Sequence, residues 1–325
     1  MKKKTAFLAG VLVICFALVF SLIGNTQVSA KQLEIAVLVP NGVDPYFTAK
    51  RYGYETECEK LGVKMLFYDA GGYANVNKQI GQLEDLMQRG IDGIILGATS
   101  AKGTVPVVDK IISKRIPLVI DNLDSFTKKP VLRIMKNGVL VGQLRAVYIV
   151  EHLKGKGTVL VLPGPSAVSL CQDEHRGFVT YAKHFPGIKV ITEWTPSSPD
   201  AGMKTVEGIL QAHPDLKAVA CFSPPLTVGA VRAVQASGAR KGDIIVVGQM
   251  LDAGMETLMR KGWLQATVMC DHIEMAREAV RMLVKEIKGE LKPPLYHQID
   301  HYLITKDTLD RFDRKGSTYP KEWRK

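Results

Sequence analysis

From Leu33 onward the chain alternates short apolar runs with segments of helical spacing, and this alternation limits the fold more than any other feature. Residues 33–39 (LEIAVLV) form a short apolar run closed by Pro40, the pattern of a strand buried on both faces of a parallel sheet. Residues 47–61 have helical spacing and stop at Gly62, and 63–68 are strand-like again. Asn75 stands as a helix N-cap; Val76, Ile80, Leu83 and Met87 then recur at helical intervals until Gly90. GIIL at 93–96, a helix over 105–113 and PLVI at 117–120 complete a first half. The second half repeats the pattern, with strands at 158–162, 188–194, 218–221 and 244–247. Helices over about 174–184, 200–211 and 225–237 lie between them.

Repeated βαβ units predict an α/β protein whose parallel sheets are covered by helices on both faces. For 325 residues, two sheets of about six strands fit ordinary domain sizes better than one sheet of ten or more. The irregular stretch 122–130 (NLDSFTKKP) is the expected crossing between the two lobes. A strand at 264–269, a long helix over 272–288 and a strand at 295–304 follow. Residues 31–134 with 271–293 are accordingly assigned to a first lobe, 135–270 with 294–310 to a second, and 311–325 to a basic tail.

The N-terminus is a separate object. Three lysines precede a long apolar run, and Val28-Ser29-Ala30 supplies small residues, so 1–30 reads as a secretory signal peptide cleaved after Ala30. The run is long enough for an uncleaved anchor, but the small-residue site and the polar Asn25-Thr26-Gln27 before it favour cleavage. Losing the three lysines takes the formal charge from +11 to +8. The basic residues are scattered apart from the tail, and no stretch interleaves them with aromatics, which argues against nucleic acid. Cys58, Cys171, Cys221 and Cys270 remain after processing, with no metal-binding CxxC. The last three fall at predicted strand ends of one lobe, as a cleft-side disulfide or thiol site or as small apolar filling.

In open α/β sheets ligands sit at the carboxyl ends of the strands, and that rule selects the candidates. DAGGYANVNKQ (69–79) has glycines that could cradle a phosphate, turn the chain, or lift Tyr73 into a site. G-x-G-x-x-G and its acidic companion are missing, so the phosphate reading is weak. No catalytic motif occurs either: there is no G-x-S-x-G and no H-E-x-x-H. His272, His297 and His301 read as surface or cleft-edge residues, and neither a metal nor a cofactor is expected. The strongest cluster is Asp44, Tyr46, Phe47 and Tyr73, a carboxylate with aromatic faces, suited to a small cation, a methylated amine or a stacked sugar ring.

IAVLVPNGVDPYF, RGIDGIILGAT, IPLVIDN, AHPDLKAVACF, GAVRAVQASG and DIIVVGQ together resemble the type 1 periplasmic binding proteins, the ribose-binding group especially. The resemblance implies two Rossmann-like lobes joined by three crossovers, no catalysis, and a small molecule enclosed as the lobes close. It points to Asp121, Asn122, Gln172, Ser223, Gln249 and Met250 beside the first cluster. Several of these depart from the sugar-binding pattern: Ser223-Pro224 replaces Asn-Asp, Gln249-Met250 replaces Phe-Asp, and Asn122 replaces an arginine. AGGY with KQIGQLEDLMQRG, and LVLPGP at 160–165, are similar to the TorT branch, periplasmic sensors of trimethylamine N-oxide; Asp271 matches an acidic residue there. That branch implies a membrane sensor kinase as partner, whereas the broader family implies an ABC permease and a sugar-like solute.

Overall fold

The computed structural model describes residues 31–324, so the expected signal peptide lies outside the described residues. Strands β1 (Glu34–Val39), β2 (Lys64–Asp69), β3 (Gly93–Leu96), β4 (Leu118–Asp121), β5 (Leu132–Lys136) and β11 (Leu295–Ile299) form one parallel sheet in the order β11-β5-β4-β3-β1-β2. Strands β6 (Lys156–Leu162), β7 (Gly187–Thr192), β8 (Leu216–Cys221), β9 (Ile245–Gln249), β10 (Ala266–Met269) and β12 (Tyr302–Thr305) form the second, ordered β12-β10-β9-β8-β6-β7. Only β12 runs antiparallel there. The central strands β1, β3 and β4 bury nearly every residue, as their unbroken Ile/Val/Leu runs require.

The helices are α1 (Pro45–Leu61), α2 (Val76–Arg89), α3 (Val105–Ser113), α4 (Gly138–His152), α5 (Ser169–Ala182), α6 (Pro199–Ala212), α7 (Pro224–Ala236), α8 (Ala253–Arg260) and α9 (His272–Ile287). Among the described residues no helix is long and apolar enough to cross a membrane. β5, α4 and α8 have no counterpart in the sequence reading. α4 crosses α5 so closely that a Cβ on Gly142 would lie 1.9 Å from the Glu174 carbonyl oxygen, and one on Gly177 2.0 Å from that of Val139. Only glycine permits this backbone approach.

Two expectations need correction. The stretch 122–130 does not cross between lobes: it connects β4 to β5, which pair side by side. The first crossing comes at Asn137, between β5 and α4; the second at Cys270–Asp271, between β10 and α9, which packs on α1. The third divides the strand expected over 295–304. Residues 295–299 pair with β5 and 302–305 with β10, so Asp300-His301 carries the chain from one sheet to the other. The C-terminal segment, expected as a basic tail, packs on the fold. Arg314 pairs with Glu256, Ser317 is buried, and Trp323 and Tyr319 meet the ring of Tyr52, with the Trp323 indole N–H donating to Glu55.

Candidate functional site

Strand carboxyl ends from both sheets converge on one cavity. The first lobe contributes Asp44, Tyr46 and Phe47 after β1, Tyr73 after β2, Asn122 and Leu123 after β4, and Lys136 at the end of β5. The second supplies Leu170, Phe222, Ser223, Pro224, Gln249 and Met250. A second, smaller chamber lies toward the crossings; it shares Tyr46, Lys136, Gln249 and Met250 and adds Cys270, His272 and His301.

Local chemistry fixes each wall. Asp44 is the N-cap of α1, its Oδ1 accepting from the Tyr46 N–H at 2.9 Å, and Pro45 starts the helix. Burial pushes its carboxyl up to about 6, partly opposed by the Tyr46 N–H and the Lys136 charge. Tyr46 lies edge-on to Phe47 at 5.1 Å, and burial holds its phenol well above the usual range. The Lys136 ammonium stands 3.9 Å from the centre of the Tyr46 ring. Gly71 and Gly72, at φ of 82° and 144°, turn the chain after β2, and Asn75 donates to the Ala70 carbonyl rather than capping α2 with its side chain. This turn carries Tyr73 to the cavity wall.

Two acceptors in the wall have no protein partner. Asn122, at φ 66°, donates its backbone N–H to Ile134 and leaves its side-chain Oδ1 unpaired. Gln249, the last residue of β9, leaves its side-chain Oε1 unpaired. Glu174 is paired with Arg145, whose guanidinium also donates to the Cys221 carbonyl.

Asp44, Tyr46, Phe47, Tyr73, Asn122, Ser223, Gln249 and Met250 are thus brought together. Three expected residues are not. Asp121 is buried with one carboxylate oxygen on Lys50 and the other on the Tyr54 hydroxyl, so it joins β4 to α1. Gln172 donates to the Ser166 carbonyl at 2.7 Å, away from the cavity. Asp271 faces an outer groove beside Glu274 and Asp300, with Gly316 against it. Lys136 and Phe222 were missed; Lys136 ends the overlooked β5, whose charges at 133 and 136 disguise the strand.

The cysteines are buried free thiols, and Cys171 lies inside α5 rather than at a strand end. Burial raises the thiols of Cys171, Cys221 and Cys270, which suits apolar filling rather than reactivity. His272 is not at the surface: it is 1% exposed, donates its Nδ1–H to the Cys270 carbonyl, and is lowered by burial to about 3. No cluster fit to hold a metal occurs among the described residues.

Residues 35–291 match the family described as the periplasmic binding protein domain. The chain is 29% identical over 271 residues to a D-apiose import binding protein of Actinobacillus succinogenes, covering 82% of this chain and 86% of that one. It is 28% identical over 220 residues to a ribose import binding protein of Bacillus subtilis, covering 67% and 70%. Among solved structures, a Caulobacter myo-inositol binding protein with bound myo-inositol superposes with a TM-score of 0.82 at 24% identity, covering 88% and 98%. A carbohydrate transporter solute binding protein from Agrobacterium radiobacter in complex with D-arabinose gives 0.82 at 19%, covering 86% and 96%. The chain belongs to the periplasmic binding protein family, with the two mostly parallel α/β lobes of its type 1 members.

Proposed function

We propose that this protein is the solute-binding component of an ABC importer, working outside the cytoplasmic membrane and closing its lobes on a small polyhydroxylated solute. The observation that carries the reading is the pair of unpartnered acceptors, Asn122 Oδ1 and Gln249 Oε1, set among Tyr46, Phe47, Tyr73 and Phe222. A buried acceptor without a donor costs about 1–3 kcal/mol, and solute hydroxyls supply the missing donors. Trimethylamine N-oxide offers an acceptor oxygen and methyl groups but no donor, so it would leave both acceptors unpaired. The aromatic faces and Asp44 remain the features in favour of a methylamine ligand and a sensor kinase. The relatives that import ribose and D-apiose support the transport reading. No catalytic role is part of it. Ligand selects the closed form only by its differential affinity for that form, and a membrane permease then meets the closed surface.

The test is native mass spectrometry for a retained solute, followed by thermal shifts with aldoses, sugar acids and trimethylamine N-oxide. A solute at about 100 times its Kd adds about 2.7 kcal/mol of stability. A polyhydroxylated solute is expected to raise Tm, and Gln249→Leu to weaken its binding about 10-fold or more at little cost in stability. Stabilisation by trimethylamine N-oxide alone would overturn the reading.

A further inference from the structure

We infer that the solute is an anion, a polyhydroxy carboxylate of the aldonate or uronate class, and that Lys136 is the seat of its carboxylate. This rests on the import reading and narrows it. Lys136 is 6% exposed, lines both chambers, and is the only cation among their lining residues. Among the described residues it has no ion pair within 4.0 Å and no hydrogen-bond partner; its ammonium lies over the Tyr46 ring face.

The other buried charges are accounted for. Asp121 is held by Lys50 and Tyr54, and Glu174 by Arg145. Asp44, which shares the first chamber with Lys136, accepts from the Tyr46 N–H as the cap of α1; the Lys136 charge lowers its carboxyl, but no ion pair within 4.0 Å joins the two. An ammonium removed from water without a bonded partner is disfavoured, and a carboxylate arriving with the ligand supplies that partner.

The remaining walls define the rest of the molecule. Asn122 Oδ1 and Gln249 Oε1 require donors, which the hydroxyls of the same molecule provide. His301, whose two ring nitrogens both lack partners, adds hydrogen-bonding capacity in the second chamber beside Lys136. A phosphate ester fits less well. It would set nearly two negative charges against one lysine, and the guanidinium that could share them, Arg145, is occupied by Glu174 and the Cys221 carbonyl.

Calorimetry on the intact mature protein distinguishes the outcomes, using matched pairs: D-ribonate with D-ribose, D-gluconate with D-glucose, D-galacturonate with D-galactose. Wild type is expected to bind at least one acid more than 10-fold tighter than its neutral partner. Lys136→Met is expected to lose about 30-fold or more for that acid and to abolish the preference, while Lys136→Arg retains it. Tighter binding of the neutral sugars by wild type would overturn the anion assignment and leave the import reading standing. An acid preference that survives in Lys136→Met would overturn the role of Lys136. Should none of the six bind while trimethylamine N-oxide or glycine betaine does, both readings fall. The wild-type comparison stands whether or not the methionine variant folds.

Discussion

The two lobes repeat one frame, β2-β1-β3-β4-β5 against β7-β6-β8-β9-β10, and equivalent positions in it carry different chemistry. The sixth residue of α1 is Lys50 and the sixth of α5 is Glu174; the last residue of β4 is Asp121 and the last of β9 is Gln249. In the first lobe helix and strand close on each other, Lys50 and Tyr54 using both oxygens of Asp121. In the second the strand end is a neutral amide, and Glu174 turns to Arg145 on α4. Gln249 Oε1 has no partner and is left in the cavity wall. One lobe uses the position to hold itself together, whereas the other uses it to meet a solute.

Removing Lys50 breaks that contrast most severely. Lys50→Met leaves Asp121 charged at 2% exposure with only a phenol as partner, which costs about 3–5 kcal/mol of unfolding free energy. Urea denaturation measures it. Affinity should change little once the folded fraction is allowed for, the opposite of Gln249→Leu. The double variant Lys50→Met with Asp121→Leu recovers part of the loss, because apolar residues replace a buried pair at little net cost. A Lys50→Met protein as stable as wild type would mean that the first lobe does not depend on its ion pair.

The helix caps differ in the same way, and pH reads the difference. Asp44 caps α1, whereas Val168 stands at the cap of α5 and makes no side-chain bond. The Asp44 carboxyl lies at about 6 in the fold against 3.8 in an unfolded chain. Below about pH 4 it is protonated in both states, so its burial has no charge penalty. Between 4 and 6 the unfolded chain releases the proton while the fold retains it, and stability falls by about 1.4 kcal/mol per pH unit. Above 6 the penalty is complete, at about 3 kcal/mol. Asp44→Asn keeps a good capping residue and removes the charge. It should stabilise the ligand-free protein by about 2–3 kcal/mol at pH 7.5 and not at pH 4. An equal effect at both pH values would show that the charge is not what differs.

Sequence revealed the frame because buried parallel strands such as β1 and β3 are continuous apolar runs that nothing else explains. It failed where a strand carries charge toward the site: β5 reads LRIMK, and the Arg133 and Lys136 that hide it are held by Asp124 and the cavity. Losing β5 displaced the first crossing and removed Lys136 from the candidate site. The aromatic cluster was legible because Asp44, Tyr46 and Phe47 are neighbours in sequence. Asp121 was misplaced because strand-end position is a local property, whereas its engagement by Lys50 and Tyr54, far away in sequence, is a tertiary one. The crossing at Asp300-His301 was hidden because 295–304 is uniformly strand-like, and only pairing reveals that its halves serve different sheets.

The smallest effect lies one residue beyond the charged pair, at Asn122 and its counterpart Met250. Both have positive φ, 66° and 74°, and both donate their backbone N–H to the next strand of their sheet, at Ile134 and Val268. The second lobe tolerates a methionine in this left-handed conformation; the first uses asparagine, which enters it more readily. Asn122→Ala should therefore cost the ligand-free protein about 1 kcal/mol, and Asn122→Gly clearly less, because glycine adopts positive φ without strain. Both variants delete Oδ1, so both should weaken solute binding by the same factor. Equal stabilities for the two would place the constraint in the side chain. Unequal affinities that follow stability would make Asn122 a backbone residue and remove it from the solute's contacts.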